Sequence, residues 1–221
     1  MKEINFLETL HKNTKRDYTE RIVKYDKAQC AEIACKFGLE YWDGGREYGY
    51  GGYKYMDGYW KPVAEAMIKH YKLPEDAKIL DIGCGKGFLM YELSRLLPKA
   101  EIFGIDISRY AVENAKEEVK DNIKFGSATS LPFEDNSFDF VYALGCFHNL
   151  YNFDLMEALK EIERVGKQHK YTMQESYRNE TEKINMCNWQ LTQHSFYSTE
   201  EWVWFFKLAG YTGDYGFIFF E

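Results

Sequence analysis

No stretch of this 221-residue chain gathers positive charge: 28 lysines and arginines stand against 35 aspartates and glutamates, a formal net charge of -7. Duplex nucleic acid is not an expected partner, because neutralising phosphates takes a clustered cationic face. Long apolar runs are also missing. The greasiest stretches, such as residues 138 to 144, are strand length, and the N-terminus MKEINFLETLHKNTKRDYTER is charged within its first three residues. Neither a membrane span nor a secretory leader is expected, and the chain reads as cytoplasmic. The cysteines (Cys30, Cys35, Cys84, Cys146, Cys187) are odd in number, scattered and never spaced C-x-x-C. That excludes a zinc knuckle or a disulfide framework as an expectation; no metal site is foreseen, and the thiols read as reduced.

One stretch is rich where the rest is plain. EYWDGGREYGYGGYKYMDGYW, residues 40 to 60, holds eight aromatic residues and six glycines. A packed core has little use for so much glycine, whose ordering is entropically costly, so the segment reads as a surface that folds over a ligand or as a connector. It lies between a helical pattern over residues 14 to 37, stopped at Gly38, and a second over residues 60 to 72 with Pro62 in its first turn. Residues 1 to 75 are therefore expected to form a helical cap carrying the aromatic loop.

From Lys78 short apolar strands alternate with amphipathic helices: KILDI, EIFGID, NIKF and SFDFVYAL, with helices near residues 87 to 97, 108 to 119 and 154 to 165 and a strand near 168 to 174. The alternation predicts an α/β fold over residues 76 to 221, a mostly parallel sheet with helices on both faces. After a helix at 199 to 208, two closely spaced strands around TGD and Gly216 are expected to make an antiparallel hairpin at the sheet edge.

The chemistry concentrates at ILDIGCGKGFL, residues 79 to 89. A strand ends, Gly83, Gly85 and Gly87 allow a tight turn against a ligand, and a helix begins. A dinucleotide fingerprint would need glycine or alanine where Phe88 stands. Asp81, ahead of the first glycine, would meet a pyrophosphate unfavourably and an ammonium group well.

This D-x-G-x-G-x-G turn, with Asp106 ending the next strand about twenty residues on, resembles the class I S-adenosylmethionine-dependent methyltransferases, whose fold is Rossmann-like. GSATSLPFEDNSFDFVYALGCFHNL, residues 126 to 150, is similar to a later stretch of the same family. The resemblance implies S-adenosyl-L-methionine as cofactor and S-adenosyl-L-homocysteine as product. It implies that Gly83, Gly85 and Gly87 form the cradle, that Asp81 supports the methionyl part, and that Asp106 holds the ribose with Ile107 on the adenine face. Ser127 stands where the family commonly has aspartate, leaving the backbone of Ala128 for the adenine; Ala143 and Leu144 end the fourth strand beside the amino-acid part. The region from 40 into GYWKPVAEAMIKHY also resembles methyltransferases of bacterial surface-polysaccharide gene clusters, which implies a sugar, nucleotide-sugar or phosphate-containing capsule precursor as the small-molecule acceptor.

Methyl transfer is an in-line displacement that needs alignment in a water-poor pocket. Aromatic faces suit a sulfonium cation, so Tyr48 and Tyr53 are expected at the cofactor and Tyr50 and Trp60 at the acceptor, with Arg46 and Lys54 available to an anionic acceptor. The polar insertion at 174 to 197 supplies Tyr177, Arg178, Trp189 and His194 as further acceptor contacts. His148 and Glu175 are the candidate catalytic bases. Two other readings stay open: a noncatalytic protein that keeps the cofactor fold, and a nicotinamide oxidoreductase.

Overall fold

The computed structural model describes residues 1–8, 10 and 17–221. Among these, six strands form one sheet: β1 (Lys78–Ile82), β2 (Glu101–Asp106), β3 (Ile123–Phe125), β4 (Phe138–Leu144), β5 (Gly166–Glu175) and β6 (Asp214–Ile218), in the order β3-β2-β1-β4-β5-β6. Every neighbouring pair is parallel. The sequence direction of the sheet reverses between β1 and β4, and a crevice opens beyond the carboxyl ends of strands at such a switch point.

Alternation along β1 divides the core. Ile79 faces a layer built with α4 (Lys61–Tyr71) and α5 (Phe88–Leu96), where Val63, Met67, Leu89 and Leu93 are buried. Leu80 and Ile82 face the other layer, built with α7 (Asn152–Val165) and α9 (Thr199–Leu208), whose Leu159, Ile162, Trp202 and Phe206 are fully buried. Helices thus cover both faces, as the strand and helix alternation predicts.

The N-terminal helical pattern is real but broken. In place of one helix there are α1 (Glu20–Lys24) and α2 (Lys27–Ala34), because Tyr25 is extended and the Asp26 side chain accepts the amides of Ala28 and Gln29 as a new N-cap. Residues 14–16 of that expected helix lie outside the described residues. A short helix, α3 (Leu39–Trp42), opens the aromatic loop. The helix expected over 108 to 119 is only α6 (Arg109–Glu113), and the polar insertion after β5 contains α8 (Glu180–Trp189).

The antiparallel edge hairpin is not there. One strand, β6, follows α9, and it runs parallel to β5 in register from Tyr171 with Asp214 to Glu175 with Ile218. The insertion and α9 together form the long helical crossover that a parallel pair requires, so the last strand returns at the same end of the sheet as β5 begins. The outer edge of β6 is closed by the N-terminus: the Ile4 amide donates to the Tyr215 carbonyl at 2.7 Å and the Tyr215 amide to the Lys2 carbonyl at 3.0 Å. That pairing blunts an edge otherwise open to other chains.

Gly87 caps α5 at φ +73°, and a Cβ there would come within 2.7 Å of the Ile123 side chain and 2.9 Å of Val119. The position combines left-handed backbone with close helix–strand approach. Gly87→Ala is expected to destabilise the protein by about 1–3 kcal/mol in urea unfolding; an unchanged midpoint would show that the turn accommodates a side chain.

Candidate active site

The site is built around the turn from β1 to α5. The Asp106 carboxylate, at the end of β2 and 6% exposed, accepts the Gly85 amide on one oxygen and the Ser108 amide on the other, each at 2.7 Å. One side chain therefore fixes the glycine turn and the start of α6 together. Burial pushes the Asp106 carboxyl up despite those two bonds.

Asp81 is buried one strand away and accepts the Tyr142 hydroxyl at 2.9 Å. Burial, reinforced by the nearby Asp106 charge and only partly offset by Tyr142, pushes its carboxyl up to about 8. At neutral pH Asp81 is mostly protonated, and a cation brought beside it would favour its ionised form.

The aromatic loop is folded over this turn. Lys86, an x position of the glycine motif and 5% exposed, holds both oxygens of Asp43 at 2.8 and 2.7 Å and the Tyr53 carbonyl at 3.0 Å. Tyr110 donates to the same carboxylate at 2.8 Å. Burial raises the Asp43 carboxyl, but the bonds from Lys86 and Tyr110 outweigh it and hold the group below its ordinary range. Main-chain bonds from Tyr50 to Tyr41 and from Gly52 and Tyr53 to Trp42 close the loop. Its rings run as a continuous series: Trp42 stacks on Tyr50, Tyr50 meets Tyr53 at 4.5 Å, and Tyr53 stacks on Phe88 at 4.9 Å. The Trp42 indole donates to the Ser108 hydroxyl at 2.9 Å and lies so close to Gly85 that a Cβ there would stand 2.8 Å from the ring. It spans the two residues whose amides Asp106 accepts.

A cavity of about 530 Å³ lies under the loop, lined by Gly83, Cys84 and Gly85 at the turn, by Tyr50, Tyr53, Phe88 and Trp60, and by Leu144, Gly145, His148, Met173 and Glu175 at the ends of β4 and β5. Arg46, Lys54 and Trp189 also line it, so most of the expected acceptor residues and both candidate bases converge. His148 Nε2 stands 3.6 Å from Glu175 Oε2, and Gln190 donates to that same oxygen. The imidazole is 3% exposed; burial pushes it down to about 3, against a weaker pull upward from Gln174. It is neutral through the physiological range.

Other expected residues stand elsewhere. Asp81, Asp106, Gly87, Ser127, Ala128, Ala143, Ile107 and Tyr48 do not line the cavity. Ile107 is 53% exposed past β2, and the Ser127 hydroxyl pairs with Thr129 at 2.8 Å. Three of the four acceptor residues expected from the insertion are committed away from the cavity. Arg178 is paired with Glu182 and Glu221, Tyr177 reaches toward Glu201 at 3.5 Å, and His194 stacks on Tyr151 at 3.9 Å. Composition alone did not reveal these partners. Sequence reasoning also missed Arg21, Tyr41, Trp42, Gln190 and Thr192, all cavity-lining. The signal for Trp42 was its place in the aromatic run.

The glycine turn braced by an acidic residue lies at the switch point of a parallel sheet, between β1 and β4, the place where open α/β proteins bind their ligands. Residues 80–173 match the family described as methyltransferase domain, and the parallel sheet with helices on both faces is the Rossmann-like α/β fold of methyltransferase structures. Among curated proteins, the demethylmenaquinone methyltransferase of Staphylococcus aureus is 39% identical over 106 residues, 46% of this chain and 43% of that one; the match thus spans under half of the relative. Among solved structures, the YcgJ protein of Bacillus subtilis is 28% identical with a TM-score of 0.55, covering 66% of each chain. The (4+2)-cyclase SpnF covers 83% of this chain and 66% of its own at 20% identity and a TM-score of 0.54, a likeness of fold. Among the described residues no helix is long and apolar enough to cross a membrane.

Two predictions follow from the carboxylates and the clasp. Because its folded pKa lies above the unfolded value, Asp81 weakens the fold increasingly from about pH 4 to pH 8 and costs nothing below pH 4. Asp81→Asn, which keeps an acceptor for Tyr142, is expected to raise unfolding free energy by about 1–3 kcal/mol at pH 8 and to leave it unchanged near pH 4. Urea titrations at both pH values check this; a wild type that is the more stable at pH 8 contradicts it. Asp43→Ala leaves Lys86 buried without its partner and is expected to cost about 3 kcal/mol, with raised hydrogen exchange in residues 43–53. Exchange that stays at the wild-type rate there would rule out the clasp as the loop's anchor.

Proposed function

We propose that the protein transfers a methyl group from S-adenosylmethionine to a small-molecule acceptor bound beneath the aromatic loop. The observation that carries the reading is the glycine turn braced by Asp106 at the switch point and opening on a cavity with two adjacent bases. The donor set fits the cofactor. Asp106 offers carboxylate oxygens where ribose hydroxyls need acceptors, Asp81 suits an ammonium group once ionised, and the faces of Tyr53 and Phe88 suit a sulfonium. Ile107 would cover the adenine, Ser127 and Ala128 would flank it, and Ala143 and Leu144 would border the amino-acid part, with Tyr48 near the loop's rim. Trp42 must leave Gly85 for a ribose to reach Asp106.

When bound, the cofactor supplies an electrophilic methyl group on sulfur. The protein's own part is alignment and exclusion of water. The closed loop keeps solvent from the turn, while Glu175 takes the acceptor's proton. Gln190 holds the Glu175 carboxylate by a hydrogen bond, and neutral His148 stands 3.6 Å from the same oxygen. Residues 1–75 act as the cap and 76–221 as the methyltransferase domain. For the acceptor, the faces of Tyr50 and Trp60 support a sugar or nucleotide-sugar of capsule-precursor type by stacking, and equally a flat ring such as the one implied by the name of the Staphylococcus aureus relative. The second reading is a noncatalytic protein that keeps the cofactor fold, since one fold hosts many functions.

Calorimetry separates these readings. One equivalent of S-adenosylhomocysteine is expected to bind and NAD is not, and Asp106→Ala is expected to weaken binding by at least about tenfold. Transfer of label from methyl-labelled cofactor into a panel of sugar, nucleotide-sugar and quinol acceptors tests the activity itself. Binding without transfer to any of them supports the noncatalytic reading, and stronger binding of NAD overturns the cofactor assignment. With a working acceptor, Glu175→Gln is expected to lower kcat by about 100-fold or more while leaving cofactor affinity within twofold. The pH profile of kcat should lack a limb near the ordinary histidine range of about 6.5, since His148 stays neutral there.

A further inference from the structure

One wall of the cavity is cationic in an unusual way. Arg21 of α1 is 9% exposed and lines the cavity, although its chain is acidic overall. Its guanidinium donates to two main-chain carbonyls, that of Trp189 and that of Arg46 at 3.0 Å. No carboxylate among the described residues forms an ion pair with it. Carbonyls satisfy its N–H groups, and only the more distant Glu20 charge offsets its own among the described carboxylates, a costly state for a buried cation. A second guanidinium stands beside it: Arg21 and Arg46 both lie 5.1 Å from the centroid of the Trp189 ring. Burial, and then the Arg46 charge, push the Arg21 guanidinium below its ordinary value.

Arg21, buried at the cavity wall with no ion pair to a carboxylate among the described residues, favours an anion in that cavity. The cavity also has apolar lining, Leu7, Met56, Met173 and Ile218 among it. We infer that Arg21, Arg46 and the Trp189 ring form a subsite for the anionic group of the acceptor, a carboxylate or a phosphate, carried on an apolar or aromatic body that reaches back toward Glu175. The inference rests on the reading of this cavity as an acceptor pocket. An arginine pair suits either anion because its planar fork bonds two oxygens at once, and the indole between the forks would stack on a flat body. Arg46 also donates to the Gly49 and Tyr50 carbonyls at 3.1 and 2.8 Å. Occupancy of the subsite would therefore stiffen the aromatic loop that covers the glycine turn.

The test uses phenyl phosphate and benzoate as the two anionic probes and benzyl alcohol as the neutral one, titrated calorimetrically into the full chain with and without S-adenosylhomocysteine. At least one anion is expected to bind at least about tenfold more tightly than benzyl alcohol, and its affinity should fall as salt rises. Comparing the two anions tells phosphate from carboxylate. Arg21→Gln should remove the preference for the anion, and Arg21→Lys should keep part of it, with S-adenosylhomocysteine affinity unchanged within twofold in both. Equal binding of all three probes to the wild type, no binding of any, or an anion preference that survives Arg21→Gln overturns the subsite. The wild-type comparison decides even where a variant fails to fold. Loss of S-adenosylhomocysteine binding in the wild type would instead strike the proposed function, while the probe titrations still report on the subsite.

Discussion

A single carboxylate holds the working end of this protein together. Asp106 ends β2 and uses its two oxygens on the amides of Gly85 and Ser108, so the turn after β1 and the helix after β2 cannot move independently. The turn needs such a brace because its glycines are left-handed and entropically free before folding. Asp81 and Tyr142 form a second buried contact behind it. Two acidic groups so close in a buried place are an expense in the ligand-free protein, and the charge distribution makes sense as preparation for a cationic ligand.

The aromatic loop depends on that turn in its own way. Lys86 belongs to the glycine motif, yet it binds Asp43 and the Tyr53 carbonyl of the loop. The clasp makes a glycine-rich segment orderly, and the series from Trp42 to Phe88 adds ring contacts of about 1 kcal/mol each. A consequence is that Trp42 covers Gly85. Cofactor access and loop position are thereby linked, since the ribose acceptor and the indole share one pair of residues.

Much of the fold was legible because its signals are local. KILDI, EIFGID and the apolar run to Leu144 are strands bounded by acidic or glycine residues, and each is a strand of the parallel sheet. What was not legible depends on distant partners. The direction of β6 was set by where the insertion and α9 carry the chain, which no turn motif near Gly216 records. The break between α1 and α2 hinges on Asp26 acting as a cap within an otherwise continuous apolar period. In the site, the glycines, Asp81 and Asp106 stood out by motif, and His148 and Glu175 do converge on the cavity. Arg21 did not stand out, because one arginine on an amphipathic helix reads as a solvated face until the structure buries it. Tyr177, Arg178 and His194 suit an acceptor by residue type in a long insertion, but partners elsewhere hold them: Glu182 and Glu221 for Arg178, Glu201 for Tyr177 and Tyr151 for His194.

The account stands most directly on where S-adenosylhomocysteine sits. A crystal structure of the complex is predicted to place the ligand along residues 83–87, with its ribose hydroxyls on the Asp106 carboxylate, its amino-acid end toward Asp81, and the Trp42 indole displaced from Gly85. A ligand bound away from the glycine turn, or one that leaves Asp106 bonded only to the Gly85 and Ser108 amides, would contradict it.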